Sequence, residues 1–93
     1  MKIDISNRKA LVTGASRGIG KEIVGLLLNE GVAVIATSLS QKNLSLLYNE
    51  FEDFSDQLTL ISADLNSTED ISFLCDGVER EFKGNPDIIV NNA

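Results

Sequence analysis

The chain has 93 residues, with 8 Lys plus Arg against 14 Asp plus Glu, a formal net charge of -6, no His, no Trp, one Cys and 43% hydrophobic residues. That describes one globular unit able to bury roughly 60 to 70% of its unfolded surface, with no room for a second domain. The charge disfavours nucleic acid and anionic membrane surfaces, and the basic residues are scattered rather than gathered into a patch.

Cys75, having no second cysteine, cannot form an internal disulfide, and without His the familiar zinc sites lack ligands. The N-terminal stretch Met1-Lys2-Ile3-Asp4-Ile5-Ser6 has no apolar signal region, and no apolar run is long enough to span a bilayer. The expected setting is cytoplasmic.

Ala10-Leu11-Val12 is the first of four short apolar runs; Val32 to Ala36, Leu58 to Ile61 and Ile88 to Val90 follow. Their continuous apolar character predicts parallel strands covered on both faces. Between the first two, Ile19, Ile23, Leu26 and Leu27 recur at helical spacing, with Gly31 as the stop. Leu44, Leu47, Phe51 and Phe54 predict a second helix, opposed by Asn43, Asn49, Glu50 and Asp53. Ser67 or Thr68 can cap a third, with Glu69 and Asp70 in its positive first turn. Its inner stripe is Ile71, Leu74, Cys75, Val78 and Phe82, and Gly84-Asn85-Pro86 stops it. Cys75 thereby reads as an inert core residue rather than a nucleophile.

The order β-α-β-α-β-α-β places the chain in the α/β class, with four parallel strands and three crossover helices. If the first two helices cover one face and the third the other, the strand order is 3-2-1-4. A ligand then belongs at the switch point between strands one and four, beyond their carboxyl ends.

Thr13-Gly14-Ala15-Ser16-Arg17-Gly18-Ile19-Gly20 lies at that point, between the first strand and the first helix. A pyrophosphate needs backbone N–H groups brought close at a helix N-terminus, where unsatisfied donors and the helix dipole favour negative charge. Gly14 permits the tight exit from the strand, Gly18 admits the backbone to the phosphates, and Gly20 lets the helix pack closely. A P-loop is a poor match, because Lys21 is followed by Glu22 rather than Ser or Thr, and the glycine spacing is wrong. The remaining alternative is a tight strand-to-helix turn without ligand.

These residues, TGASRGIG, resemble the cofactor fingerprint of the short-chain dehydrogenases and reductases, and three further segments agree. Asp4 to Val12 resembles the family's lead-in to its first strand. Asp64-Leu65 falls where the family places an Asp against the adenine, and Asn91-Asn92-Ala93 resembles the start of the motif closing strand four. The resemblance implies a partial Rossmann fold, with residues 1–93 as the N-terminal part of a single NAD(P)-binding domain that ends before the catalytic half. The cofactor-binding residues it implies are Gly14, Ser16, Arg17, Gly18, Ile19, Gly20, Ser38, Asp64, Leu65, Asn91 and Ala93. Asp64 also has a purely local reading, as the residue that turns the chain before the third helix. Asn91 is assigned in the family largely to bracing the sheet.

A binder of NAD carries an acid about 20 residues past the glycines, which would repel a 2'-phosphate. Here the second strand ends Ala36-Thr37-Ser38-Leu39-Ser40, without one. Arg17, with Ser38 and either Ser16 or Thr37, can receive the phosphate instead. NADP(H) is therefore favoured over NAD(H), although Leu39 stands where many NADP-preferring relatives place a second Arg. A solvated loop cation is the alternative reading of Arg17.

Reduction of a carbonyl needs a positioned proton donor, which the family supplies as Tyr with Lys four residues later. Tyr48 is followed four residues later by Glu52, so no catalytic residue is expected within the chain. The expected function is the cofactor-binding portion of an oxidoreductase, its substrate a carbonyl or alcohol such as a 3-oxoacyl thioester, as in the 3-oxoacyl-acyl-carrier-protein reductases it resembles. The partners expected are the dinucleotide, that substrate and further copies of the complete protein, without nucleic acid or membrane. A non-enzymatic dinucleotide-binding or strand-pairing module, or an inactive remnant, is the alternative; a downstream Tyr-x-x-x-Lys in the reading frame discriminates between them.

Overall fold

The computed structural model describes residues 4–92, so the expectation placed on Ala93 lies outside the described residues. The elements run β1 (Lys9–Thr13), α1 (Gly18–Asn29), β2 (Ala33–Ser38), α2 (Gln41–Glu50), a 3-10 turn (Glu52–Phe54), β3 (Leu58–Ser62), α3 (Thr68–Phe82) and β4 (Ile88–Val90). The strands form one parallel sheet in the order β3-β2-β1-β4, with Leu11 opposite Ile35 on one side and Ile89 on the other. This is the partial Rossmann arrangement expected.

Successive strand residues point to opposite faces, and the two faces bury different helices. Ala10, Val12, Val34 and Ala36 meet Val24 and Leu28 of α1 and Leu44 and Leu47 of α2. On the other face Ile35, with Leu11 beside it, meets Leu74, Val78 and Phe82 of α3. Fully burying one such aliphatic or aromatic side chain is worth about 1.5–3 kcal/mol. Ser40 Oγ accepts the Asn43 N–H at 3.1 Å and Ser67 Oγ accepts the Asp70 N–H at 3.2 Å, so α2 and α3 each start at a hydroxyl cap.

Three details differ from the sequence reading. The buried face of α1 is Gly20, Val24, Gly25 and Leu28, whereas Ile19 and Leu26 are 69% and 68% exposed. Glycines do not register as apolar in a periodicity count, yet they let a helix approach its neighbours most closely. The buried stripe therefore runs through them, and Ile23 and Leu27 become its half-buried flanks. In α3 the buried face runs through Leu74, Gly77, Val78 and Phe82, with Gly77 set against Ile61 of β3. Cys75, about 100° around the helix from Leu74, is exposed, as is Ile71, so neither belongs to the core. Finally, α2 stops at Glu50 because Phe51 leaves helical geometry (φ -110°, ψ 32°) to lay its ring over Gly25; Phe51 and Phe54 still pack on the α1 and α2 side of the sheet.

Among the described residues no helix is long and apolar enough to cross a membrane, and no group of three His, Cys, Asp or Glu residues is placed to hold a metal ion. Among the described residues β4 pairs with β1 alone, leaving its outer edge open. Ile88 and Val90 pack inward on the α1 side, while Ile89 is 66% exposed. Open edges with apolar side chains recruit other chains. The 93-residue polypeptide is expected to self-associate through β4, giving species larger than a monomer in light scattering, and Ile89→Lys is expected to shift the distribution toward monomer. A monodisperse monomer with a single cooperative calorimetric transition contradicts this.

Candidate cofactor-binding site

The corner between β1 and α1 is built from backbone. Gly14 (φ 58°) and Gly18 (φ 60°) both take the left-handed conformation that side chains disfavour. The Ala15 N–H donates to the Thr37 carbonyl at 3.2 Å, which ties the loop to β2. Arg17 precedes α1 in extended geometry, and its side chain makes no capping bond. Unlike α2 and α3, α1 thus presents the N–H groups of Gly18, Ile19 and Gly20 with neither an intrahelical nor a hydroxyl partner. No acidic residue occupies its first turn, so the positive end of its dipole is uncompensated by side chains. A Cβ placed on Gly18 would meet nothing within 4 Å, so the approach to these donors is open.

Gly20 faces inward. A Cβ there would strike the Gly14 carbonyl oxygen and come within 2.8 Å of Asn92 Nδ2. The close packing expected of Gly20 is therefore made against the turn itself and the residues after β4. Those residues lock the corner. The Asn92 N–H donates to Thr13 Oγ1 at 2.9 Å, and Asn92 Nδ2 donates to the Gly14 carbonyl at 3.3 Å. The Thr13 hydroxyl can in turn donate to Asn91 Oδ1 at 3.3 Å or the Val90 carbonyl at 3.4 Å. The bracing role expected of Asn91 is shared with Asn92.

Beyond the carboxyl ends of β1, β2 and β3 lies an open cavity of about 560 Å³. Gly14, Ser16, Arg17 and Gly18 line one side, and Thr37, Ser38 and Leu39 a second. The segment Ala63 to Asn66 lines the third, and Asn92 lies beside the corner. Seven of the residues expected from the sequence converge here: Gly14, Ser16, Arg17, Gly18, Ser38, Asp64 and Leu65. Ile19, Gly20 and Asn91 are not in its lining. The Ile19 side chain faces solvent, so its contribution at this corner is its backbone N–H, while Gly20 and Asn91 hold the corner from behind.

Ser16 and Ser38 both line the cavity and are hydrogen-bonded to each other, their hydroxyl oxygens 3.0 Å apart. Asp64 fulfils its local reading, since Oδ1 accepts the Asn66 N–H at 2.9 Å and its own N–H donates to Asp70 Oδ2 at 2.8 Å. It lines the cavity as well. Thr37 is 1% exposed, and its hydroxyl has no partner among the described residues. An unpaired buried hydroxyl costs about 1–3 kcal/mol, and a polar ligand in the cavity that Thr37 lines is the natural partner for it. Ala63 and Asn66 were not anticipated: the only signal for them is their position just past the end of β3. Tyr48 is half-buried against the core on the α1 and α2 side and lines no part of this cavity.

An open parallel sheet with a switch point, a glycine corner whose helix end is left uncapped, and a cavity beyond the strand ends together define a dinucleotide-type site. The chain belongs to the short-chain dehydrogenase family, whose model matches residues 8–93. It is 34% identical over 89 residues to a 3beta-hydroxysteroid dehydrogenase 2 of Eggerthella lenta, covering 96% of this chain and 34% of that protein. It is 36% identical over 91 residues to a 3-oxoacyl-acyl-carrier-protein reductase of Vibrio cholerae, covering 98% of this chain and 36% of the relative. Among solved structures, L-sorbose reductase of Gluconobacter frateurii, complexed with NADPH and L-sorbose, superposes with a TM-score of 0.87 at 29% identity, covering 98% of this chain and 35% of that one. The chain spans about one third of the length of the curated relatives it matches. The resemblance to 3-oxoacyl reductases is thus one of several at equal distance, and it does not single out that branch.

Gly20→Ala is expected to lower stability by about 1–3 kcal/mol, because the new methyl group overlaps a backbone oxygen that cannot move without unlocking Thr13 and Asn92. The change is read as a lower urea midpoint at unchanged slope. Asn92→Ala, which removes only the side-chain bond to Gly14, is expected to cost about 1 kcal/mol.

Proposed function

We propose that the chain is the cofactor-binding portion of a longer short-chain oxidoreductase and that it holds NADP(H) in preference to NAD(H). The observation that carries this reading is the uncapped N-terminus of α1 opening on a cavity that contains Arg17 and has no acid at the end of β2. The N–H groups of Gly18, Ile19 and Gly20 would receive the pyrophosphate. Arg17, Ser16 and Ser38 would receive the ribose 2'-phosphate, the guanidinium by paired charge-assisted bonds. Asp64, Leu65 and Thr37 line the part of the cavity left for the adenosine. The bound nicotinamide supplies hydride; what this chain's residues supply is binding and orientation.

Relatives about three times as long support placing the chain within a larger protein, residues 1–93 forming the N-terminal part of its nucleotide-binding domain. The proton donor and the substrate pocket belong to the remainder in this reading. The substrate is a small carbonyl or alcohol, and further copies of the complete protein are its expected partners in a cytoplasmic setting. A 3-oxoacyl thioester is one candidate substrate, supported by the acyl-carrier-protein reductase relative to the same degree as a steroid is supported by its counterpart.

Fluorescence titration of the protein with NADPH and NADH is expected to give tighter binding of NADPH. Arg17→Ala is expected to weaken NADPH binding by about 10- to 100-fold while changing NADH little, since a hydrogen bond to a charged group contributes about 1.5–3 kcal/mol. Equal affinities in the parent protein, or unchanged discrimination in the variant, would refute the cofactor assignment.

A further inference from the structure

A second cavity, of about 400 Å³, adjoins the first and shares Ser16 and Arg17 with it. It is also lined by Lys21, Asn43, Leu46 and Glu50, so it runs from the glycine corner across the outer surface between α1 and α2. Lys21 follows Arg17 by one helical turn, and its N–H reaches the Arg17 carbonyl at 3.4 Å. Arg17 is the extended residue ahead of the helix, and both side chains line this cavity, so two cations stand together at this end of α1. One of them is already engaged. Lys21 Nζ lies 2.6 Å from Glu50 Oε1, with side chains 37% and 47% exposed. Arg17, in contrast, forms no ion pair among the described residues.

Leu39 is apolar and 71% exposed, and the end of β2 therefore contributes no second charge to the phosphate end of the site. We infer that Lys21 is the second cation for the 2'-phosphate, and that Glu50, by holding Lys21, sets how strongly the phosphorylated cofactor is preferred. The inference rests on the NADP(H) reading above and deepens it. An exposed pair of this kind is weak, so a dianion arriving beside Arg17 can draw Lys21 from Glu50 along its flexible stem. The cost of that exchange falls on the phosphorylated ligand alone. Asn43, whose N–H is committed to the α2 cap, keeps its side-chain amide available in the same cavity.

The test uses 2',5'-ADP, which carries the phosphate in question, against 5'-ADP, which lacks it, in calorimetric titrations of the protein at low salt. Glu50→Gln is expected to tighten 2',5'-ADP about threefold, and Lys21→Met to weaken it by a similar factor, with the effect on 5'-ADP much smaller in each case. Added salt should shrink both effects, as for any exposed charge pair. Shifts of equal size for the two nucleotides, or no shift in either variant, would overturn the role of Lys21 and Glu50 while leaving the Arg17 result standing. Failure of the parent protein to distinguish the two nucleotides would overturn the NADP(H) reading itself, and the present inference with it. Lys21→Gln, which keeps a polar side chain of similar length, guards against a packing effect of Met and is expected to weaken 2',5'-ADP in the same way.

Discussion

The whole site depends on the closeness of α1 to the turn that precedes it. Position 20 has no room for even a methyl group, because the Gly14 carbonyl and the Asn92 amide occupy the space. That approach fixes where the first turn of the helix points. It also explains why the lock on the corner comes from so far along the chain: Thr13 receives the Asn92 N–H across 79 positions of sequence, and Asn92 returns a bond to Gly14. The end of β4 is thus a structural part of the glycine corner rather than a neighbour of it, and the bonds from Asn92 depend on the parallel pairing of β1 with β4 in register. Long-range pairing of this kind carries a loop-closure cost that the buried contacts on both faces of the sheet must offset.

The distribution of charge follows the same logic. A chain with a net charge of -6 would repel a polyanionic ligand at long range, yet the cavity carries one cation, Arg17, and one carboxylate, Asp64, on different sides. Asp64 is also drawn into the hydrogen bonds that turn the chain into α3, which removes one of its oxygens from free use. The anion-binding capacity at the glycine corner therefore comes from oriented backbone N–H groups and a helix dipole, which do not count in the formal charge at all.

Strand order, the limits of β4 and the serine cap of α3 were legible in the sequence because each is written locally: in apolar runs, in turn residues, or in a hydroxyl ahead of an apolar stripe. Seven of the residues that line the cavity were legible for the same reason, since they sit in or beside a glycine-rich turn and at strand ends. The inward faces of α2 (Leu44, Leu47) and most of α3 (Leu74, Val78, Phe82) were legible too; what could not be read was the sheet-facing side of α1 and the edge of the α3 stripe. Leu26 and Cys75 satisfy a helical period as well as Val24 and Val78 do, and only the close approach permitted by Gly20, Gly25 and Gly77 decides between them. The division of labour between Asn91 and Asn92 was hidden in a similar way. Adjacent residues at a strand end point to opposite sides, and their sequence order does not reveal which one meets Gly14.

The two ends of the site are made of different materials, and this bears on what can vary. The glycine corner is main chain, with Gly14 and Gly18 at positive φ and no room for a Cβ at Gly20, so the N–H groups it presents do not depend on the side chains that surround it. The side that carries Arg17 is made from side chains: the Ser16 and Ser38 hydroxyls, the Arg17 guanidinium and the Lys21–Glu50 pair beyond them. Each of these can be exchanged without disturbing the lock among Thr13, Gly14, Gly20 and Asn92. Changes on that side can therefore alter what the cavity accepts while the corner stays as it is, and under the proposed function cofactor preference rests on a few polar side chains set on a main-chain frame that does not depend on them.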